Sequence, residues 1–513
     1  MSYKDEDGQA IILVALAMSI FLIGAVGLAI DGSHLFSQRQ MAQTAADAAA
    51  QAGMMSVFNG TNTAGTAAFT ASGSFACTTT DARTPCAYAN RNGFGGSAGD
   101  TVTIDFPATS TVAGVNFSTN PSFPAVLIRA TVQRSVNTTL MGLLGPTAST
   151  VQATAMAAII AVQSAAPILV MHPTLANALS LSGTPAIQIC GGPNHSIQVN
   201  SSAGTLYPGV AVSTGGNSSI DLSHAGPPDP GDCTTGTGAD FSVVGGPTSS
   251  PSSIAYGSTG SYDPLAPVMQ DPLRNVAPPP VPTKPGTQQF LGQGLTRADG
   301  VTCPASATKN CTVLSPGLYT GANSLSNLKL TTVLFKPGIY YIQGGTQGGG
   351  LSCTANCNMA MATGAAADGT TGTNTGWTGN ILIYNTGPAA NPTNAGPINI
   401  GANGSVSLVG SPANSSYLGI LFFQDRSSVA QSHSMGGGGS LSLVGTIYLT
   451  NPLATMTADP THYQSVSLQG GSGSSTLIQG EVIVGTLSMG GNAGITMNLS
   501  SIPLPLDQVA LVN

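Results

Sequence analysis

Spacing constrains the chemistry of the cysteines more tightly than that of any other residue type in this chain. There are eight, and they fall into neighbouring couples: Cys77/Cys86, Cys190/Cys233, Cys303/Cys311 and Cys353/Cys357. An even count in close couples predicts four local disulfides and an oxidising compartment. Zinc is the competing chemistry. The sequence has no C-x-x-C, and no His stands at ligand spacing from a couple, so neither a metal site nor a cofactor is read.

Acid–base chemistry has few candidates. After Lys336 the only charged residues are Asp368, Asp425, Arg426, Asp459, Glu481 and Asp507. Polysaccharide cleavage needs paired carboxylates, or carboxylates with a metal and a base. Asp425 and Arg426 come directly after the apolar "GILFFQ" and read as a turn pinned by local hydrogen bonds. Glu481 lies in "LIQGEVIVG". Alternation places it with Ile483, opposite Val482 and Val484, so with the valines inside it faces solvent. His172, His195, His224, His433 and His462 are scattered and read as solvated loop residues. The runs "GGTQGGG" and "GGGG" lack the Lys-Ser/Thr of a phosphate-binding loop and read as turns. The reading is therefore non-enzymatic. A polysaccharide-acting enzyme and a glycan-binding adhesin stand as alternatives.

The elements that would carry these residues are mainly β. Charged residues are 6% of the 513, hydrophobic residues 42%, and the net charge is −7. There is no basic footprint for nucleic acid, and disorder would need fewer apolar residues and more charge. Short strands recur: "TVLSPGLY" at Thr312 and "TVLFKPGIYYI" at Thr332, then "SVSLVG" at Ser405, "SLSLVG" at Ser440 and "SVSLQG" at Ser465. Single-strand repeats at uneven intervals of roughly twenty to thirty-five residues predict a parallel β-helix, a solenoid whose coils share one core. A β-sandwich would need more two-residue hairpin turns than "ANGS" at Ala402 supplies.

The N-terminus differs. Gln9–Ile30 has no charged residue and is just long enough, at ~1.5 Å per residue, to cross a ~30 Å hydrocarbon core. It comes after the acidic "MSYKDEDG", unlike the basic start of a cleaved export signal. Cleavage near "GLAID" at Gly27–Asp31, or processing at Gly8, stays open. "HLFSQRQMAQTAADAAAQAGMMSVF" continues as a helix to about Phe58. Its Ala-rich stripe is expected to pack on its own domain, with a partner helix as the alternative.

The expected organisation is a cytoplasmic tail 1–8, a membrane span 9–30 and an amphipathic helix 31–58. Next comes a small α/β unit 59–165, in which "TVTIDF", "AVLIRATVQRSV" and "STVQATAMAAIIAV" are strands and "TTLMGLLG" a short helix. The β-helix is expected to begin over 166–225, to be interrupted by a Pro/Gly-rich insertion over 226–300, and to resume over 301–513.

Gly8-Gln9 before the span, Asp31 just after it and "QTAADAAAQAG" at Gln43–Gly53 come in a fixed order. The segment resembles the N-terminus of the TadE/TadG-like family of Flp (tight adherence) pilus assembly. "NGFGGSAGDTVTI" and "MGLLGPTASTVQATAMA" are similar to the next segment of such proteins, and "SPGLY", "KPGIYYIQGG" and "LGILFFQDR" to a β-helical extension that some members carry. The resemblance implies a single-pass protein of the bacterial inner membrane, with its bulk in the periplasm or at the cell surface. It also implies lipid contact through 9–30 and pilin-like or pilus-assembly partners through the N-terminal helix. Two departures stand out. "DGSHLFS" at Asp31 does not match the D-x-S-x-S metal site of longer members. Prepilins carry a Glu at the fifth position after the processed Gly, where this chain has Leu13.

Overall fold

The computed structural model describes residues 6–60, 69–95, 99–118, 123–139, 142, 147–163, 166–227, 229–274, 276–307, 310–344, 349–354, 356–363, 377–401, 404–412, 415–429, 431–437, 439–451, 463–470, 475–499 and 505–512. The chain forms two compact units, 1–162 with 507–513 and 163–506. Of "TTLMGLLG" only Thr138, Thr139 and Gly142 are among the described residues.

In the first unit, helix α1 spans Glu6–Asn59 without a break. Its first part is bare: Ile11, Leu13, Phe21 and Leu28 are all exposed. Its second part is not. Ala42, Ala45, Ala46, Ala49, Ala50 and Met54 are fully buried, in one cluster with Ile104, Ile128 and Val132 of the unit's sheet. The Ala-rich stripe thus packs on its own domain. Small residues are needed because the helix lies close: a Cβ on Gly53 would sit 2.8 Å from Ile128 Cδ1 and 3.0 Å from Pro85 Cβ. A second helix, α2 (Thr84–Arg91), also packs against α1.

The sheet of this unit has five strands, in the order Ser74–Ala76, Asp100–Asp105, Leu127–Asn137, Ala148–Gln163 and Pro505–Val512. Arg129 and Arg134 lock the Asp100–Asp105 strand through ion pairs to Asp105 and Asp100, each 2.7 Å. The fifth strand corrects the expectation that the β-helix runs to residue 513. The chain's last described residues return to the N-terminal unit, and "LDQVALV" has no repeat-like feature that would have revealed it.

The second unit is a three-sided parallel β-helix with sheets of eleven, ten and eight strands. Each coil visits the three in turn: Ser440–Val444, Thr446–Leu449, Ser465–Gly470, then Ser475–Gln479, Val482–Val484, Thr486–Gly491. Coil-to-coil pairing is parallel and in register, as in Leu441↔Thr476 and Tyr448↔Ile483. Inward residues such as Phe422, Ile447, Val482, Val484 and Leu487 form one continuous core. The corner between the first two sheets explains the repeated Gly. Gly317, Gly338, Gly445 and Gly480 there have φ of +141°, +137°, +123° and +154°, which side chains with a Cβ rarely adopt. A Cβ on Gly480 would also meet Gly445 O at 2.3 Å.

The coils are not stacked in simple chain order. Those from Ile168 to Pro264 grow away from Ile168–Val170. Those from Cys311 onward start at the other end and stack back, until Val482–Val484 pairs with Ile168–Val170 and Gly494–Asn498 with Ala186–Gly191. The chain must therefore travel from one end to the other, and the described residues 266–274 and 276–286 lie along that crossing as a strap over the outside of the ten-stranded sheet. Gln198 Nε2 donates to Pro267 O at one end, and at the other Gly286 N donates to Leu318 O. This corrects the reading of 226–300 as an interruption. Asp240–Val243, Ile254–Ala255 and Tyr262–Pro264 are coil strands, too short to show a pattern, and Thr287–Leu291 pairs antiparallel with Cys311–Ser315 at the edge of the eleven-stranded sheet, so the Pro-rich stretch between them is what leaves the solenoid.

Candidate functional site

Two places concentrate features that packing alone does not require. The first is the start of α1. Asp31 stands one residue past the apolar run and is buried. Its Oδ1 accepts from Thr139 N at 3.1 Å and from Thr139 Oγ1 at 2.7 Å. The carboxylate ties the helix to its own unit at the point where the bare stretch ends. That stretch has a mean hydropathy of 2.8 in its most apolar window and is long enough to cross a membrane.

This is the segment that a known family matches. Residues 8–56 match the model of the Tad family, described as putative Flp pilus-assembly TadE/G-like. The match lies in the N-terminal region. No curated protein matches the chain, and no solved structure does. The match takes in the bare stretch, Asp31 and the Ala-rich stripe. Sequence reasoning singled out Asp31 but not Thr139, because nothing in the local sequence links two residues 108 positions apart.

The second place is the outer face of the ten-stranded sheet. Tyr341, Tyr384, Phe423 and Tyr448 are laddered there, with ring centroids 4.9, 5.3 and 5.4 Å apart. The strap is fastened over this face. Asn200 donates through Nδ2 to Met269 O at 2.7 Å and accepts from Met269 N at 3.0 Å. Tyr448 donates to Asp271 Oδ2 at 2.7 Å and accepts from Arg426 Nε at 2.7 Å. Arg426 also donates to the carbonyls of Val276, at 2.8 Å, and Leu273. Asp425 makes the expected turn, accepting from Ser427 N at 2.9 Å and Ser427 Oγ at 2.8 Å.

Glu481 corrects the expectation of a solvated carboxylate. The alternation is as read, with Val482 and Val484 in the core, but the strap roofs the outer face and Glu481 is only 3% exposed. Among the described residues neither carboxylate oxygen has a hydrogen-bond partner. Burial, with a smaller push from Asp271, raises its pKa well above the ordinary range, so the group is held neutral. Burial also raises Asp271, while Arg426 and the Tyr448 hydroxyl pull it down. The structure thus assembles Asp271, Arg426, Tyr448 and Glu481. Asp271 was invisible in sequence because it lies in the Pro-rich stretch, far from its partners. Of the other carboxylates considered as partners for Glu481, Asp425 is engaged in its turn and Asp459 lies outside the described residues, as does Asp368.

The histidines divide. His172 and His433 are buried rather than solvated. His433 Nδ1 accepts from Ile398 N at 3.0 Å, and its Nε2 lies 3.2 Å from Gln464 Oε1. Burial lowers its pKa to about 4. His195 and His224 are half-buried, and His462 lies outside the described residues.

The cysteines form four bridges, Cys77–Cys86, Cys190–Cys233, Cys303–Cys311 and Cys353–Cys357, with Cα separations of 5.4, 4.9, 5.7 and 5.5 Å. The loop of Cys233 is also organised by Asp229, whose two oxygens accept from six backbone N–H groups between Gly231 and Gly236. Burial raises the Asp229 pKa, but these amides outweigh it and hold the group at about 2. Cys77, Asp81 and Cys86 are near enough to share a metal. Their sulfurs are joined to each other, and Asp81 is paired with Arg83 at 2.5 Å, so this cluster has no free donor set.

Proposed function

We propose that this protein is a membrane-anchored, non-enzymatic component of the bacterial cell envelope, working in Flp/Tad-type pilus assembly or surface attachment. The observation that carries the reading is the split character of α1. One continuous helix is bare and apolar over Ile11–Ile30 and buried in its own unit from Ala42 onward, and the family match covers both parts. About twenty exposed apolar residues in water would be a severe aggregation liability, and lipid removes it.

In this reading the span crosses the inner membrane once, and the four disulfide-bearing loops lie in the oxidising periplasm or beyond it. The Ala-rich stripe is already occupied within its own unit, so pilin-like or assembly partners meet the helix through the span. A non-catalytic role fits the sealed position of Glu481 under the strap, since a general acid must reach its substrate.

Carbonate extraction and N-terminal sequencing of the mature protein test the anchor. The full-length chain is expected to stay with the membrane pellet. A soluble product beginning near Ile30 or Asp31 would instead make the run a cleaved export signal.

A further inference from the structure

The strap does more than connect the two ends of the solenoid. Between it and the first coils lies a cavity of about 460 Å³, lined by residues of the β-helical unit alone. That volume is within the range of small-molecule sites. The cavity is open to solvent, because Leu206 and Tyr207 on its rim are 82% and 49% exposed.

Its walls are fixed before any ligand arrives. The Tyr463 ring packs on the His172 ring, centroids 4.8 Å apart. His172 is itself held by backbone N–H donors from Thr174 and Leu175, at 3.2 and 3.0 Å. Asn200 is clamped at both ends of its amide by Met269. The strap contributes Gln270 and Arg274, whose side chains are hydrogen-bonded to each other. Arg274 is exposed, and among the described residues no carboxylate lies within ion-pair distance of it.

Asp271 also lines the cavity, but its carboxylate is taken up by the Tyr448 hydroxyl, the Leu273 N–H and Arg426. Two tyrosine rings, hydrogen-bonding side chains and the exposed Arg274 guanidinium, which no carboxylate pairs among the described residues, are left to select a particular chemistry. Aromatic faces pack against the apolar C–H faces of a sugar ring. Side-chain amides and hydroxyls satisfy its hydroxyls. The planar guanidinium takes a carboxylate with two parallel hydrogen bonds. A polyphosphate or nucleic acid would need several cations, whereas this site has one on a chain of net charge −7. We infer that the cavity binds a saccharide unit bearing a single carboxylate, with Tyr207 on the ring face and Arg274 on the acid. The site is built from the β-helical unit alone, and its test does not depend on the pilus reading.

The test is calorimetric titration of the full chain in lipid nanodiscs with two acidic probes, trigalacturonate and an N-acetylmuramic-acid disaccharide. Whichever binds identifies the kind of polymer, uronate or cell-wall glycan. Binding by at least one of them in the millimolar range or tighter is expected. Methyl-esterifying the acid of that probe should weaken binding at least about tenfold, equivalent to about 1.4 kcal/mol. Arg274→Ala should cause a similar loss, and Tyr207→Ala a loss for acid and ester alike. Both side chains are at the surface, so the melting temperature should not move. The inference is overturned if neither probe binds, if the ester binds as well as the acid, or if Arg274→Ala binds like the parent.

Discussion

The phenol of Tyr448 donates a 2.7 Å hydrogen bond to Oδ2 of Asp271, a residue 177 positions earlier in the chain. The phenol oxygen also accepts from Arg426 Nε at 2.7 Å. Tyr448 therefore joins strand to strap and closes a buried circuit of one acid, one base and a hydroxyl.

Removing that hydroxyl should loosen the strap. Tyr448→Phe leaves a buried carboxylate and a guanidinium N–H each short of a partner, which costs about 1–3 kcal/mol. Urea unfolding of the two proteins measures it. Trypsin should also cut sooner at Arg274, the basic residue of the strap that no proline follows. Equal midpoints and equal digestion rates would mean that the strap is fastened elsewhere.

The corner glycines make a second prediction. Gly480 has φ +154°, and an added Cβ would meet Gly445 O at 2.3 Å. Gly480→Ala should cost about 3 kcal/mol or more, combining backbone strain with a backbone clash that no rotamer relieves. Gly294, with φ +72° and open space around it, isolates the strain, and Gly294→Ala should cost about 1 kcal/mol. Thermal melts that rank the two the other way would refute the corner argument.

The contrast between these two sites mirrors what the sequence could and could not reveal. The solenoid was readable because its corner recurs: "SPGLY", "KPGIYY", "LVGTIY" and "IQGEVIV" each place a Gly at one geometry. The split helix was readable from its lost charge and its alanines. Burial on the outside of the sheet was not readable. Alternation correctly assigned Glu481 to the outer face, but whether that face is wet depends on a strap more than 190 residues away. The fifth strand of the N-terminal unit was hidden for the same reason, as was the Asp31–Thr139 tie. Local pattern reports which side a residue faces, whereas a distant segment decides what covers that side.

His433 should make the β-helix acid-sensitive in a defined window. Its folded pKa is depressed to about 4, against an unfolded value near 6.5. Between those values the unfolded chain binds the extra proton, so stability is complete above about pH 6.5 and falls as pH drops toward 4. The loss should reach about 3 kcal/mol, at about 1.4 kcal/mol per unit. Urea titrations at pH 7, 5.5 and 4.5 on parent and His433→Gln should diverge in slope, with the variant flatter. Parallel curves would mean that His433 is not held neutral by burial.

Glu481 should act in the opposite direction. Its folded pKa is raised well above the ordinary value, so the unfolded chain gives up its proton first as pH rises. The stability linked to the neutral carboxyl is therefore complete below about pH 4.3 and declines as pH climbs toward the folded pKa. Glu481→Gln keeps the shape and removes the titration. At pH 4.5 parent and variant should lie within about 1 kcal/mol of each other, a gap set by the amide alone. By pH 8 the variant should be ahead, by a margin that widens with pH until the folded group ionises. The His433 contribution is common to both proteins and cancels in the difference. A solvated Glu481 would instead give a difference that does not change with pH, and that flat line in paired urea titrations would remove the strap from above this residue.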